Sequence, residues 1–530
     1  MIAEHLELAG QNERAASFFR QAGEEAARRY ANQSALNYLD RALKLTSASD
    51  LEERYAILLA REQVYSLLGS REEQRQDLAQ LIKMADELKE EHVQGEIALL
   101  QTIAASETSN YPQIIAHAKD TIRIAKSLQI PRLETRANLL WGRALLSMGD
   151  YPGAEERFRG ALGIAKQNGL RNLEADSLRY LGGVDERLGK QASAIEYLEE
   201  SLKLCRLIGD RRGEGKTLNQ LGNILLLQGD HIGGKKYYDQ FLTISREIGD
   251  RWGEGQVIRN IADTYLSQYD YAGASKYFEQ ALEITREIGN RTIESGALVG
   301  LGNIYLEKGE YTKARNVFEQ SLNIAREIGN KPWEAKTLSQ IGRYFHRQGD
   351  YLRAQGYYEQ AKEIYHQLGN NLSESRLLID LSLLHHHLGD DEIALEQSKL
   401  AFTISDELHH PRYMARALTQ LGRAQLGLDR FEDAKDSFEQ AFIKFDELKQ
   451  ENLSMEPLAG LAAVDLALGD HTSALSHVED ILNHFASHPL SETKGLNSFG
   501  EVITGDDSGA VPGLEGTSDP MWIYLICYRV

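Results

Sequence analysis

The chain has 530 residues, with 79 acidic and 59 basic side chains, and its formal net charge is -20. This acidic balance argues against a surface that binds nucleic acid or another polyanion over most of its area. Hydrophobic residues make up 42% of the chain and prolines number only 9, which favours helices around a hydrophobic core and argues against disorder.

Signals for export, membrane insertion and disulfide formation are missing from the sequence. The N-terminal residues include Glu4 and Glu7 and have no apolar core of the length that an export signal needs. The most apolar stretch, residues 521–528, is far shorter than the roughly 18 residues that cross a bilayer. The two cysteines, Cys205 and Cys527, are too few and too far apart for a disulfide framework or a zinc site. We therefore expect a cytoplasmic protein that does not bind membranes.

Residues 1–50 predict helices that are shorter and less regular than those that follow. Small and apolar residues recur there in short groups, such as Ala15-Ala16 and Ala35-Leu36. The spacing of these groups indicates units of roughly thirty residues.

From residue 51 to residue 486 the chain repeats with a period of forty residues. Tyr269 and Asp429 occupy two of the places at which glycine otherwise recurs. The recurring glycines are Gly149, Gly189, Gly229, Gly309, Gly349, Gly389 and Gly469. A fixed period of this length predicts a stack of identical supersecondary units.

Each forty-residue unit predicts a hairpin of two helices. Apolar residues recur at three- and four-residue steps, as in Leu298, Leu301 and Tyr305. Glycine or alanine lies where the two helices would cross, so that their backbones can approach closely. Gly-Asp and Gly-Asn pairs, such as Gly249-Asp250, then end the second helix in the left-handed turn that glycine tolerates.

The unit resembles the tetratricopeptide repeat in its small and aromatic positions. The matching residues of one unit are Leu301-Gly302, Tyr305, Ala314, Phe318 and Ser321. The resemblance implies an all-α, right-handed superhelical solenoid that binds proteins and has no catalytic activity. Similar forty-residue units occur in bacterial signalling ATPases of the STAND class, LuxR-type regulators and kinesin-light-chain adaptors. Residues 1–50 resemble the junction that follows the ATPase module in those signalling proteins.

The period ends after residue 486. Residues 487–516 are rich in Ser, Gly, Thr and Asp, which predicts a flexible insertion. Residues 517–530 begin with a helix-start signal at Pro520 and resemble the first helix of one more unit. Without a second helix to cover it, the apolar segment 521–528 should either fold back on the last unit or mediate self-association.

One segment imitates a phosphate-binding loop. Residues 209–217 read Gly-Asp-Arg-Arg-Gly-Glu-Gly-Lys-Thr, but the leading glycine stands one residue too early. The segment also joins two predicted helices, whereas a phosphate-binding loop follows a buried strand. We expect no nucleotide or other cofactor there.

Three consecutive histidines, His385, His386 and His387, suggest a metal site at first sight. Adjacent residues on a helix diverge by about 100°, so the three rings cannot converge on one ion. We therefore predict no metal. The sequence also offers no Ser/His/Asp or Cys/His arrangement in a setting that would expose a nucleophile, which argues against an enzyme.

In the tetratricopeptide family, ligand contacts come from fixed places on the first helix of each unit, which lines the concave groove. Applied to eight units of this chain, those places hold eight more basic than acidic side chains, against a net charge of -20 for the whole chain. The basic residues are Arg136, Arg143, Arg179, Arg187, Lys216, Arg259, Lys336, Arg343, Arg347, Arg376, Arg416 and Arg423. Ion pairs within the solenoid are the alternative explanation.

Asparagines and one histidine accompany these cations: Asn219, Asn223, Asn260, Asn303 and His346. An asparagine side chain can donate to and accept from an extended peptide backbone, although hydrogen bonds within the solenoid would use the same groups. We predict a scaffold or sensor whose basic groove binds an acidic, extended peptide or protein segment. One alternative is an effector-sensing domain of a signalling ATPase or transcription regulator that responds to a small molecule or nucleic acid. The other is a free-standing adaptor that joins two proteins.

Overall fold

The computed structural model describes residues 2–29, 31–68, 70–88, 91–107, 111–228, 230–268, 270–448, 450–487 and 520–530. These residues form α-helices joined by short turns, and no strand occurs among them. The helices are α1 (Ile2–Leu8), α2 (Asn12–Arg28), α3 (Asn32–Leu45), α4 (Leu51–Leu68), α5 (Arg71–Leu88), α6 (Glu91–Glu107), α7 (Tyr111–Ser127), α8 (Pro131–Met148), α9 (Tyr151–Gln167), α10 (Arg171–Arg187), α11 (Gln191–Ile208), α12 (Arg211–Leu227), α13 (His231–Glu247), α14 (Arg251–Ser267), α15 (Tyr271–Glu287), α16 (Arg291–Glu307), α17 (Tyr311–Glu327), α18 (Lys331–Arg347), α19 (Tyr351–Gln367), α20 (Asn371–Leu388), α21 (Asp391–Glu407), α22 (Pro411–Gly427), α23 (Phe431–Glu447), α24 (Glu451–Leu468), α25 (His471–Ser487) and α26 (Pro520–Arg529).

From α4 onward each forty-residue unit is one helix hairpin, which confirms the all-α fold of repeated helix pairs. We call the even-numbered helices from α4 to α24 the leading helices and the odd-numbered ones from α5 to α25 the trailing helices. None of the helices in the described residues combines the length and apolarity that a bilayer span requires. The predicted flexible insertion lies almost wholly outside the described residues.

The turns between helices have the left-handed backbone that the recurring glycines predict. Gly149 ends α8 at a φ of 88°, and Gly389 ends α20 at 81°. Asp429, which replaces glycine in the series, also has a positive φ of 57°. Gly229 and Tyr269 lie outside the described residues. The forty-residue register therefore records a backbone requirement at the end of each leading helix.

Small residues allow the two helices of a hairpin to touch. A Cβ atom on Gly142 would lie 2.5 Å from Cε1 of Phe158, and one on Gly342 would lie 2.5 Å from Cδ1 of Tyr358. Both aromatic rings are almost completely buried. The glycine of the leading helix thus makes room for the aromatic residue of the trailing helix, as the sequence pattern predicts.

The chain divides into two compact units. The first consists of residues 1–301 and 317–334, and the second of residues 302–316 and 335–530. The first unit has its core between leading and trailing helices, with Leu221, Ile224 and Phe241 among its members. The second unit includes a large apolar cluster around α24, which contains Phe438, Leu458 and residues of α26.

Buried glutamates join consecutive hairpins of the first unit. Glu254 accepts a hydrogen bond of 2.9 Å from Nε of Arg246 and one of 2.5 Å from Nη1 of Arg251. The same arrangement recurs around three other glutamates, each at the fourth position of a leading helix: Glu214, Glu294 and Glu334. Because each carboxylate touches two cations from different helices, it fixes the angle at which one hairpin follows another.

Replacing Glu334 with glutamine should destabilise the protein by roughly 1–3 kcal/mol near neutral pH, because a nearly buried, charge-assisted interaction is lost. Burial alone would raise the pKa of Glu334, but hydrogen bonds from Lys331 and Arg326 outweigh it and lower the pKa. A carboxyl with a lowered pKa contributes stability above its unfolded value and loses it as the pH falls through the folded value. Chemical denaturation should therefore show a deficit for Glu334→Gln at neutral pH that shrinks below about pH 4. A deficit that is independent of pH would contradict this account.

Candidate functional site

Three basic side chains gather around one tyrosine on the leading helices of the first unit. The guanidinium carbon of Arg179 (α10) lies 4.2 Å from the ring centroid of Tyr180, and that of Arg143 (α8) lies 5.9 Å from it. Lys216 (α12) is half-buried and within the electrostatic reach of Arg179 and Tyr180. We call Arg143, Arg179 and Lys216 the cation cluster. It brings together positions from three consecutive hairpins.

The cation cluster has a strongly positive environment. Burial alone would raise the pKa of Tyr180, but the positive charges of Arg143 and Arg179 lower it to about 8. Burial, followed by repulsion from Arg179, lowers the pKa of Lys216. A negative group is therefore favoured here, and Asp176 supplies one by accepting a hydrogen bond of 2.6 Å from Arg179.

Arg143 and Lys216 make no ion pair with any of the described residues. Arg143 is exposed, whereas Arg179 is buried and held by Asp176. The cluster thus contains one structural arginine and two cations available to an external anion. All three side chains of the cation cluster occupy places at which the sequence predicts basic residues in the groove.

The predicted asparagines of the first unit mostly bond within the protein. Nδ2 of Asn260 donates to Oδ1 of Asn219 at 2.6 Å, and Oδ1 of Asn260 accepts from Arg259 at 2.5 Å. Arg259 also donates to Asp263 at 2.7 Å. Oδ1 of Asn223 accepts a hydrogen bond of 2.5 Å from the Tyr238 hydroxyl. The internal hydrogen bonds that the sequence left open as an alternative are therefore present.

Some hydrogen-bonding groups of these residues are still available. Within the part of the chain that the structure describes, the amide hydrogens of Asn219 and Asn223 have no acceptor. Oε1 of Gln220, next to Asn219, is buried and accepts no hydrogen bond from the described residues. The surface beside Lys216 can therefore donate to a peptide backbone through the amides of Asn219 and Asn223.

In the second unit the predicted cations are largely paired. Arg347 donates to Glu307 at 2.8 Å, and Arg343 lies 3.9 Å from the other oxygen of the same carboxylate. Arg343 also donates to Oδ1 of Asn303 at 3.3 Å. Arg343 and Arg347 thus share one glutamate. Its negative charge offsets part of the positive charge that the sequence predicts at this place.

Farther along the second unit, Asp380 lies between two of the predicted arginines. Arg416 is 3.6 Å from Asp380. Burial alone would lower the pKa of Arg376, but Tyr413, Tyr365 and Asp380 together raise it. Lys336 is half-buried on α18. These cations and their partners form a mixed rather than a uniformly basic surface.

The histidines point in different directions. Nδ1 of His386 lies 2.6 Å from Asp391, and Nδ1 of His385 lies 3.6 Å from Asp390. His387 turns to His346, whose Nε2 lies 2.9 Å from Nδ1 of His387. This is the predicted divergence of adjacent helical residues. Nowhere in the described ranges do three His, Cys, Asp or Glu side chains gather in a way that could hold a metal ion.

Arg423 does not lie on an open surface. It is fully buried on α22, pairs with Glu456 at 2.9 Å and has its guanidinium carbon 3.8 Å from the ring centroid of Trp522. Trp522 belongs to the C-terminal helix α26, so this predicted groove residue is covered by the chain itself. The structure therefore shows the fold-back alternative for residues 521–528 in the described part of that segment.

Sequence reasoning missed Tyr180 and Asp380, which lie at one register of the leading helices. That register is nine residues before the turn position, and polar side chains recur there: Gln220, Asn260, Gln340, Asp380 and Gln420. The family's contact places do not include it. A search for polar residues that recur at a fixed register would have found both missed residues.

Comparison with known protein families finds matches to segments of both units. The family model described as tetratricopeptide repeat matches residues 134–206, 214–287 and 294–367, and a second model of the same description matches residues 415–442. No curated protein sequence matches the chain.

Several solved structures are similar to the chain. A Rap protein complexed with competence and sporulation factor is 15% identical, with a TM-score of 0.48, over 67% of this chain and 98% of that one. The quorum sensor NprR of B. thuringiensis, in its apo form, is 17% identical, with a TM-score of 0.45, over 63% of this chain and 98% of that one. A STAND protein with a tetratricopeptide repeat sensor from Pyrococcus horikoshii is 16% identical, with a TM-score of 0.45, over 71% of this chain and 53% of that one.

Proposed function

Because this chain is built on tetratricopeptide repeats, we propose that it is a non-catalytic scaffold or sensor whose leading helices bind an acidic peptide or protein segment. The observation that carries the proposal is the cation cluster. It contains three basic side chains and one neighbouring carboxylate, Asp176, in a chain whose net charge is -20. The proposed setting is cytoplasmic, which fits the two free cysteines.

The cation cluster suits a carboxylate because its charges are partly desolvated and already oriented. Asp176 and the Tyr180 ring hold Arg179, so little side-chain freedom is lost when an anion binds beside it. Arg143 and Lys216 approach the same region from the neighbouring leading helices. An Asp or Glu side chain placed between them would gain charge-assisted hydrogen bonds.

The neighbouring amides suit an extended backbone. The amide hydrogens of Asn219 and Asn223 can donate to peptide carbonyls. Both asparagines lie on α12, the helix that also bears Lys216. One acidic side chain and its adjoining backbone would therefore be recognised together in the first unit.

The arginines of the second unit would contribute less. Glu307 already neutralises part of the charge of Arg343 and Arg347, and Asp380 does the same for Arg416. A ligand carboxylate would have to compete with these internal partners. We therefore assign the main anion contact to the first unit.

Titration of the chain with acidic and charge-neutral peptide pools at low and high salt tests the proposal. We expect the acidic pool to bind more tightly, and we expect its affinity to fall as salt rises, because Coulomb attraction to partly exposed cations is screened. Fluorescence anisotropy of labelled pools would measure both effects. Equal binding of the two pools at low salt would show that the positive charge serves only the fold.

A further inference from the structure

The C-terminal helix α26 is docked on leading helices of the second unit. Ile523 and Ile526 are almost completely buried in the apolar cluster of α24. Trp522 packs near Phe438, with the ring centroids 6.4 Å apart, and its ring covers Arg423 of α22. On the other side of the helix, Leu525 and Tyr528 are exposed. The helix therefore presents one apolar face, which includes Trp522, Ile523 and Ile526, to α22 and α24.

The surface beneath α26 differs from the leading helices that precede it. Every residue from 453 to 465 of α24 is buried. The places on α24 that correspond to the predicted basic positions hold Glu456, Ala459, Ala463 and Ala467 instead of arginine or lysine. Since Ala459 and Ala463 are apolar, covering this face of α24 with an apolar partner is favourable.

One polar feature lies within this apolar surface. Glu456 of α24 pairs with Arg423 at 2.9 Å and accepts a hydrogen bond of 3.3 Å from Gln420. The Trp522 ring lies over the guanidinium and shields the pair from water. A cation beneath an aromatic ring is favourable when both are desolvated, so the site selects an aromatic residue at this place.

A leading helix of the array packs on the trailing helix before it, as α24 does on α23. In the described residues α26 packs more extensively on α24 than on α25, and Trp522 reaches α22. Thirty-two residues, 488–519, connect α25 to α26. Such a connection makes docking intramolecular, with an effective concentration on the order of millimolar.

We propose that the surface of α22 and α24 is a binding site for a helix whose docked face is apolar and carries an aromatic residue, and that α26 is its built-in occupant. A partner protein with a helix of this chemistry must displace α26 in order to bind. This site differs from the cation cluster in position and in chemistry, since it selects an apolar helix with an indole rather than an acidic extended segment. α26 thus keeps the site closed until such a partner is present.

The test uses the full-length chain and a labelled peptide of residues 520–530. In the double variant Ile523→Asp, Ile526→Asp, two charges replace buried apolar side chains, so α26 should leave the surface while the residues of α22 and α24 stay unchanged. We expect the peptide to bind this variant about 100-fold more tightly than the wild-type chain, because its site is no longer occupied. Adding Arg423→Ala to the released variant should weaken that binding.

The matched control is the double variant Leu525→Asp, Tyr528→Asp, which places the same charges on the exposed face of the same helix. It should behave like the wild-type chain. Equal peptide binding to all three proteins, with unchanged helical circular dichroism, would overturn the proposal. If the released variant loses helical content, Trp522→Ser provides a milder release, and failure of the peptide to bind that variant would also overturn it. If two copies exchanged α26, the helix of one copy would occupy the surface of the other, and light scattering would show a dimer. Such a dimer would refute the assignment of the site to a partner protein.

Discussion

Reversing the charge of Arg143 and Lys216 should lower the affinity of the chain for an acidic peptide by about 100-fold. Each substitution removes an attraction and adds a repulsion at the cation cluster, and charge-assisted hydrogen bonds contribute roughly 1.5–3 kcal/mol each. Neither side chain has an ion-pair partner among the described residues, so the double variant Arg143→Glu, Lys216→Glu should keep its fold. Isothermal titration calorimetry with one acidic peptide would measure the loss.

The control for this variant is Lys203→Glu, Lys276→Glu. Both lysines are exposed on trailing helices of the same unit, α11 and α15. The control changes the net charge by the same amount and leaves the leading helices intact. Equal losses in the two double variants would mean that the effect is a general one of net charge and that the cation cluster does not bind the ligand.

Replacing Gly142 with alanine should destabilise the protein by about 1 kcal/mol. A Cβ atom at this position would lie 2.5 Å from Cε1 of Phe158, a side chain with no exposed surface, so the two helices of the hairpin would have to separate. Overpacking of this kind costs roughly 1–3 kcal/mol, which exceeds the gain of about 0.5–1 kcal/mol from replacing a helical glycine. Phe158 also stacks on Tyr180, so the change should disturb the cation cluster as well.

Gly160→Ala in the same hairpin is the matched control. Gly160 is an exposed residue of α9, and a Cβ atom there would meet nothing within 4 Å. This substitution should stabilise the protein by about 0.5–1 kcal/mol, because alanine loses less conformational freedom than glycine when a helix forms. Thermal unfolding should therefore shift in opposite directions for the two variants. A shift in the same direction would contradict the close helix approach at Gly142.

The fold was predictable because each forty-residue unit repeats the same local requirements. The glycine of the turn needs a left-handed backbone, and the glycine opposite Phe158 needs space, so both requirements appear directly as residue types. The buried glutamates that join consecutive hairpins, such as Glu254, were missed as a set because acidic residues are frequent on exposed helix faces. Their recurrence eight residues after an arginine, as in Arg246 and Glu254, was the available signal.

The candidate site was predictable only in part. The forty-residue register of the sequence identified Lys216 and Arg179 on leading helices. It could not show which of the basic side chains already have ion-pair partners. Arg347 pairs with Glu307, which is forty residues earlier in the chain, and only the packing of neighbouring hairpins brings the two together. Burial of Arg423 depends on α26, which lies outside the periodic pattern.

The titration of Tyr180 in the presence of ligand tests the central claim most directly. In the free protein the positive charges of Arg143 and Arg179 overcome the effect of burial and lower its pKa to about 8. A peptide carboxylate bound between Arg143 and Lys216 would offset the positive charge of the cation cluster and raise the pKa of Tyr180 towards the ordinary tyrosine value of about 10. Ultraviolet difference titration of the wild-type chain against Tyr180→Phe, with and without saturating acidic peptide, isolates this one side chain. A rise on binding is the result we predict, and an unchanged pKa with the peptide bound would show that the acidic ligand lies elsewhere.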